Sequence, residues 1–151
     1  MYTVVLALHS VVRWAVLLAA AVAVTVTWRG WLTGRPWTRG VNGAGVALVA
    51  SADTQLLLGL LLYLLLSPFT LAGHGLGALA DPAFRYYAVY HPLLGIGVAA
   101  LAHLGRALSR REKSDMRRHR VAAMFYVAAL WVALFTVPWP NMSLGRPLLP
   151  F

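Results

Sequence analysis

Five histidines in 151 residues are the side chains best able to do chemistry here, and four of them pair by depth along apolar runs. His9 and His91 fall towards one end of those runs, His103 and His119 towards the other. An ionisable side chain inside a membrane span is expensive, so each is read first as functional. Imidazoles contributed by different helices suit axial ligation of b-type haem, which is held without a covalent bond. Cysteine is absent, which excludes disulfides, iron–sulfur clusters, thiolate metal sites and covalent c-type haem. The candidate metal ligands are therefore His9, His91, His103 and His119.

Arg13 stands four residues after His9, on the same helix face and about one turn deeper. Imidazole on iron and guanidinium on a propionate is one reading of that pair. The other makes His9 an interfacial residue bonded to backbone and Arg13 a snorkelling cation. His91 precedes Pro92 and follows the aromatic run Tyr86, Tyr87 and Tyr90, so its helix is expected to kink or to begin there. His103 lies twelve residues on, about 18 Å along and about 120° around the axis. His91 is thus expected to face the first helix and His103 the fourth, near His119. Within Arg117-Arg118-His119-Arg120, His119 has the simpler reading of one more solvated cation.

Asp53 sits in the middle of the second run and requires a proton or a partner. Arg13 is the basic residue at comparable depth, which makes an Asp53–Arg13 pair the simplest structural expectation. A proton or quinol relay through Asp53 and a histidine is the functional one. Gln55 or Asp53 is expected to line the interior. His74, within Gly73-His74-Gly75-Leu76-Gly77, lacks the preceding strand and the spacing of a dinucleotide loop and reads as a loop residue.

Four apolar runs, about 4–27, 43–66, 84–108 and 118–137, must position these residues, each long enough for the roughly 20 residues that cross a hydrocarbon core. Hydrophobic residues make up 60% of the chain and charged ones 11%, far from a soluble composition. The expected fold is a single all-α domain over 1–151, an integral-membrane four-helix bundle. Ala15, Ala19 and Ala23 in the first run, with Gly59, Gly95 and Gly105, permit close helix approach, and Gly95 with Gly97 also leaves room for a flat macrocycle. Four of the eight prolines fall in 138–151, so that tail is expected to lie irregularly on the surface.

Arg29, Arg35 and Arg39 occupy the first connection, and Arg106, Arg110, Arg111, Lys113, Arg117, Arg118 and Arg120 surround the third. The positive-inside rule then puts both termini on the outer, periplasmic side of a bacterial inner membrane crossed by a multi-pass chain. His9 and His91 become the outer pair and His103 and His119 the inner. The formal net charge of +9 belongs to those loops, where anionic lipid head groups are the expected partner and nucleic acid is not. A cleaved signal peptide is not expected, because residues 1–8 carry no basic side chain and Arg13 interrupts the apolar stretch.

The ordered set LHSVVRW at Leu8–Trp14, QLLLGLLLY at Gln55–Tyr63, HPLLGIGV at His91–Val98, HRVAAMFY at His119–Tyr126 and VPWP at Val137–Pro140 resembles the small four-helix bacterial membrane proteins labelled cytochrome-b-like. The similarity runs along essentially the whole chain. The family often has an acidic residue before its histidine–proline pair; Tyr90 stands there here, which removes a carboxylate from that point.

The leading expectation is a membrane cytochrome that passes electrons between a quinol and a partner redox protein, holding one or two haem b groups. His9 and His91 would ligate an outer haem, His103 and His119 an inner one, and Arg13 would contact a propionate. The alternative, from a different class, is a cofactor-free accessory subunit that packs in a larger membrane complex through hydrogen-bonded histidines and Trp-rich ends.

Overall fold

Three polar side chains decide where helices begin. In a computed structural model that describes residues 1–70 and 74–140, Thr38 accepts from the Val41 amide at 3.3 Å, Asp81 from the Ala83 and Phe84 amides at 2.6 and 3.0 Å, and Ser114 from the Arg117 amide at 3.4 Å. Each satisfies amides that the first turn of a helix leaves without an intrahelical partner. The four long helices are α1 (Tyr2–Thr33), α2 (Arg39–Leu66), α3 (Pro82–Arg111) and α4 (Asp115–Thr136). Among the described residues there is no strand, and a short 3₁₀ segment, Leu76–Ala80, precedes α3. Gly34 closes α1 at φ 63°, donating to the Gly30 carbonyl, a left-handed conformation that glycine adopts without a Cβ penalty.

All four helices are long and apolar enough to cross a membrane. Their packing has the corresponding pattern: the buried positions are mainly small, among them Ala20, Ala23, Ala102, Ala122, Ala123 and Ala129, whereas Leu18, Leu57, Leu65, Leu93, Trp131 and Phe135 stand exposed. Lipid tails are as apolar as leucine, so association rests on close backbone approach and not on burying large side chains. Gly105 in α3 is such a point, since an added Cβ would lie 2.7 Å from the Phe125 Cβ and 2.8 Å from the Tyr126 ring.

Around the bundle α1 packs on α2, α2 on α3, α3 on α4 and α4 back on α1. This order leaves α1 and α3 facing each other across the interior. The expected runs are all present as helices, but each helix extends past the apolar run, most at the basic ends, where α1 continues to Thr33 and α3 to Arg111. Most of the expected irregular tail, 141–151, lies outside the described residues.

The helix carrying Pro92 does not begin there. It runs from Pro82 through a π-helical turn, Tyr86–Tyr90, into the α-helix His91–Arg111. Pro92 has no N–H to give the carbonyl four residues earlier, and that carbonyl, on Ala88, accepts instead from the Tyr63 hydroxyl of α2 at 3.0 Å. Tyr63→Phe should therefore strand a buried carbonyl and cost about 1–3 kcal/mol. Thermal unfolding in detergent checks this, and an unchanged Tm would show that another donor serves Ala88.

Candidate functional site

At the end of the bundle where α1 begins, His9 of α1 and His91 of α3 confront each other with ring centroids 6.0 Å apart and planes at 59°. They line a half-open cavity of about 180 Å³ together with Arg13, Gln55, Gly95 and Val98. At Gly95 an added Cβ would meet nothing within 4 Å, so this wall borders open space. Gly59 does the opposite service on α2, because a Cβ there would come 3.2 Å from His9 Cε1.

The two imidazoles are oriented differently. His91 Nδ1 lies 3.0 Å from the Thr136 carbonyl oxygen, which can only accept, so Nδ1 carries the proton and Nε2 the lone pair. Thr136 is the last residue of α4, and its carbonyl is one of those a helix end leaves without an intrahelical donor. The Tyr86 hydroxyl donates to the same oxygen at 2.8 Å. A backbone carbonyl on one ring nitrogen is the usual way of fixing a metal-binding histidine. On the other side, the Gln55 amide nitrogen donates to His9 Nε2 at 3.0 Å. Buried His9 Nδ1 and Gln55 Oε1 have no hydrogen-bond partner among the described residues. Arg13, lining the same cavity, holds its guanidinium carbon 5.4 Å from the Trp14 ring centroid, and Trp14 in turn meets Trp139 edge-on at 6.3 Å.

These residues fit an iron bound between two imidazoles. With each nitrogen about 2 Å from one metal, facing rings have centroids a little over about 6 Å apart, close to the separation observed here. Among the described residues no three His, Cys, Asp or Glu side chains converge. Two imidazoles suffice only for a metal whose other ligands arrive with it, as the four nitrogens of a porphyrin do.

The remaining histidines do not form a second such pair. His103 of α3 turns to α2, where its Nε2 lies 2.9 and 3.1 Å from the two carboxylate oxygens of Asp53. His119 of α4 is fully buried against Gly30 of α1, with the Trp37 ring centroid 4.9 Å away. The expected facing of His103 and His119 is thereby corrected: they face different neighbours and lie at different levels, His103 beside Asp53 at the middle of α2 and His119 beside Gly30 near the end of α1. The expected Asp53–Arg13 pair is corrected for the same reason, since Asp53 is taken by His103. The solvated reading of His119 also fails, because the Trp37 amide donates to Asp115 at 2.9 Å and draws the first connection over the start of α4. His74 packs near Phe84 with its Nδ1 3.2 Å from the Thr70 carbonyl. The role of the Thr136 carbonyl had no sequence signal, because backbone carbonyls carry no residue signature, and Tyr86 stood out only as one of an aromatic run; of Gln55 and Asp53, either of which was expected to line the interior, Gln55 does and Asp53 does not.

Comparison with family models, with curated proteins and with solved structures gives no match for this chain.

Proposed function

We propose that this chain is a single-haem membrane cytochrome, with one haem b held between His9 and His91 and single electrons passed through it. The observation that carries the reading is a His91 ring locked by the Thr136 carbonyl with its lone pair on Nε2, facing His9 at 6.0 Å across a cavity. Haem, when bound, supplies a reversible one-electron couple whose potential depends on its axial ligands and surroundings. The residues do the rest. His9 would give up its bond from Gln55 to hold the metal, Arg13 would offer a cation to a carboxylate of the macrocycle, and Leu6, Val16 and Leu56 would supply apolar contacts to the ring. Its donors and acceptors would be a membrane quinol and a partner redox protein.

The test is the visible spectrum of the purified protein, oxidised and dithionite-reduced. One six-coordinate low-spin b haem per chain is expected. A colourless protein after expression with ample haem would overturn the reading in favour of a cofactor-free accessory subunit.

The same proposal places both termini outside, in a bacterial inner membrane, because ten of the thirteen basic residues lie at the opposite end, in 29–39 and 106–120. Cysteines introduced at Asn42 and Ser114 should react with membrane-impermeant thiol reagents only after the cytoplasmic side is opened. Labelling of either position from outside would reverse the orientation.

A further inference from the structure

The Asp53–His103 couple does not face the interior. Its side chains are 43% and 57% exposed, in a groove between α2 and α3 walled by Val46, Val49, Ala50 and Ala107, with Arg106 and Arg110 towards its basic end. Asp53 falls near the middle of Arg39–Leu66, about 20 Å from either helix end at 1.5 Å per residue. An ionisable couple open to hydrocarbon at that depth is unfavourable unless a polar partner covers it. Arg106, about one turn from His103 on the same face, lines the same groove, and its buried Nε has no hydrogen-bond partner among the described residues.

We propose that this groove binds the head group of a membrane quinol, with Asp53 and His103 as its hydrogen-bonding couple. The proposal deepens the electron-transfer reading and rests on it for the redox class of the ligand. Three features select that ligand. The site opens sideways into the bilayer, so its occupant is lipid-soluble. Its side walls, Val46, Val49, Ala50 and Ala107, are apolar and formed partly by small residues, which suits a flat ring. Its polar end offers carboxylate lone pairs that accept from a hydroxyl, while the second nitrogen of His103 accepts from a hydroxyl or donates to a carbonyl; the same couple therefore serves quinol and quinone. A phospholipid phosphate resides at the interface, where Arg110 lines the groove, and does not reach the Asp53–His103 couple at mid-helix.

The experiment uses the full chain in lipid nanodiscs with a short-chain quinone bearing a photoreactive azide. Label is expected on peptides spanning 46–53 and 103–110, and excess unlabelled short-chain quinol should compete it away. Asp53→Asn and His103→Gln should each lower labelling by about tenfold, the loss of one charge-assisted hydrogen bond. Thr54→Ala, which removes an exposed hydroxyl bonded to the Ala50 carbonyl, should leave labelling unchanged. Quinol should also raise the Tm of the wild-type protein and not that of His103→Gln, a reading that stands even if Asp53→Asn folds poorly. Labelling that quinol does not compete, or that both variants retain, overturns the site. So does a cross-link between two copies through cysteines at 50 and 107, which would make the groove a dimer interface. Intact haem without competable labelling overturns the groove alone, while a colourless protein that still binds quinol overturns only the haem reading.

Discussion

His91→Ala should abolish the six-coordinate haem spectrum outright, and His9→Ala should do the same. A low-spin iron between two imidazoles needs both, and no third histidine reaches this cavity: His103 is held by Asp53 and His119 by Gly30 and Trp37. The two losses should differ in their residue. Without His9, the remaining ligand is still oriented by Thr136, so a five-coordinate form at reduced occupancy is expected. Without His91, the remaining ligand is anchored only by the Gln55 amide on the very nitrogen that would bind iron, and haem content should fall further. Gln55→Leu should keep the low-spin spectrum and tighten haem binding by up to about tenfold, because ligation then no longer breaks a hydrogen bond of about 0.5–1.5 kcal/mol. His74→Ala, His103→Ala and His119→Ala should retain full haem content. A low-spin spectrum surviving either His9→Ala or His91→Ala would place the ligands elsewhere.

How much of this was readable in the chain depends on which coordinate is asked for. Run length located four helices, because about 20 apolar residues are needed to span a bilayer whatever their neighbours. It misjudged where they end. Hydropathy falls at the first arginine, but a helix begins and ends where its backbone finds a cap: α1 ends at Gly34, and α2, α3 and α4 begin just after Thr38, Asp81 and Ser114. Those capping residues were present as signals and would have set the boundaries more closely than apolarity did.

Depth was legible for His9 and His91 but not for His103 and His119, and azimuth was not legible for either pair. His9 and His91 match in depth and share the interior, but His103 meets Asp53 at the middle of α2 while His119 meets Gly30 near the end of α1, and the two turn to different helices. Each residue rotates a helix by about 100°, so one unforeseen irregularity redirects everything beyond it. The π turn Tyr86–Tyr90 precedes both His91 and His103, so the angle between them is that of a regular helix and packing alone decides which neighbour each one meets. Arg13 and Asp53 fail to meet on the same account: both were placed at the right level, and only packing decides which neighbour each one sees.

The largest loss of stability is expected from Gly30→Ala, at or above the upper end of the roughly 1–3 kcal/mol of ordinary overpacking. A methyl group there would overlap the His119 ring, reaching within 2.6 Å of Nε2 and closer still to Cε1 and Nδ1. The ring has little room to retreat, since Trp37 lies against it at 4.9 Å and is itself tied to Asp115 through its backbone amide. His119→Ala should be milder than its buried volume suggests, because both ring nitrogens lack hydrogen-bond partners among the described residues and removing them relieves a desolvation cost. The double variant Gly30→Ala/His119→Ala should then recover most of what Gly30→Ala loses, a strong coupling between two residues in contact. Tm values in detergent micelles measure all three, and losses that simply add would mean that the methyl group is accommodated elsewhere. Gly105→Ala is the contrasting case: its methyl would meet Phe125 Cβ at 2.7 Å, an atom fixed to the α4 backbone, so trimming Phe125 to alanine should rescue nothing.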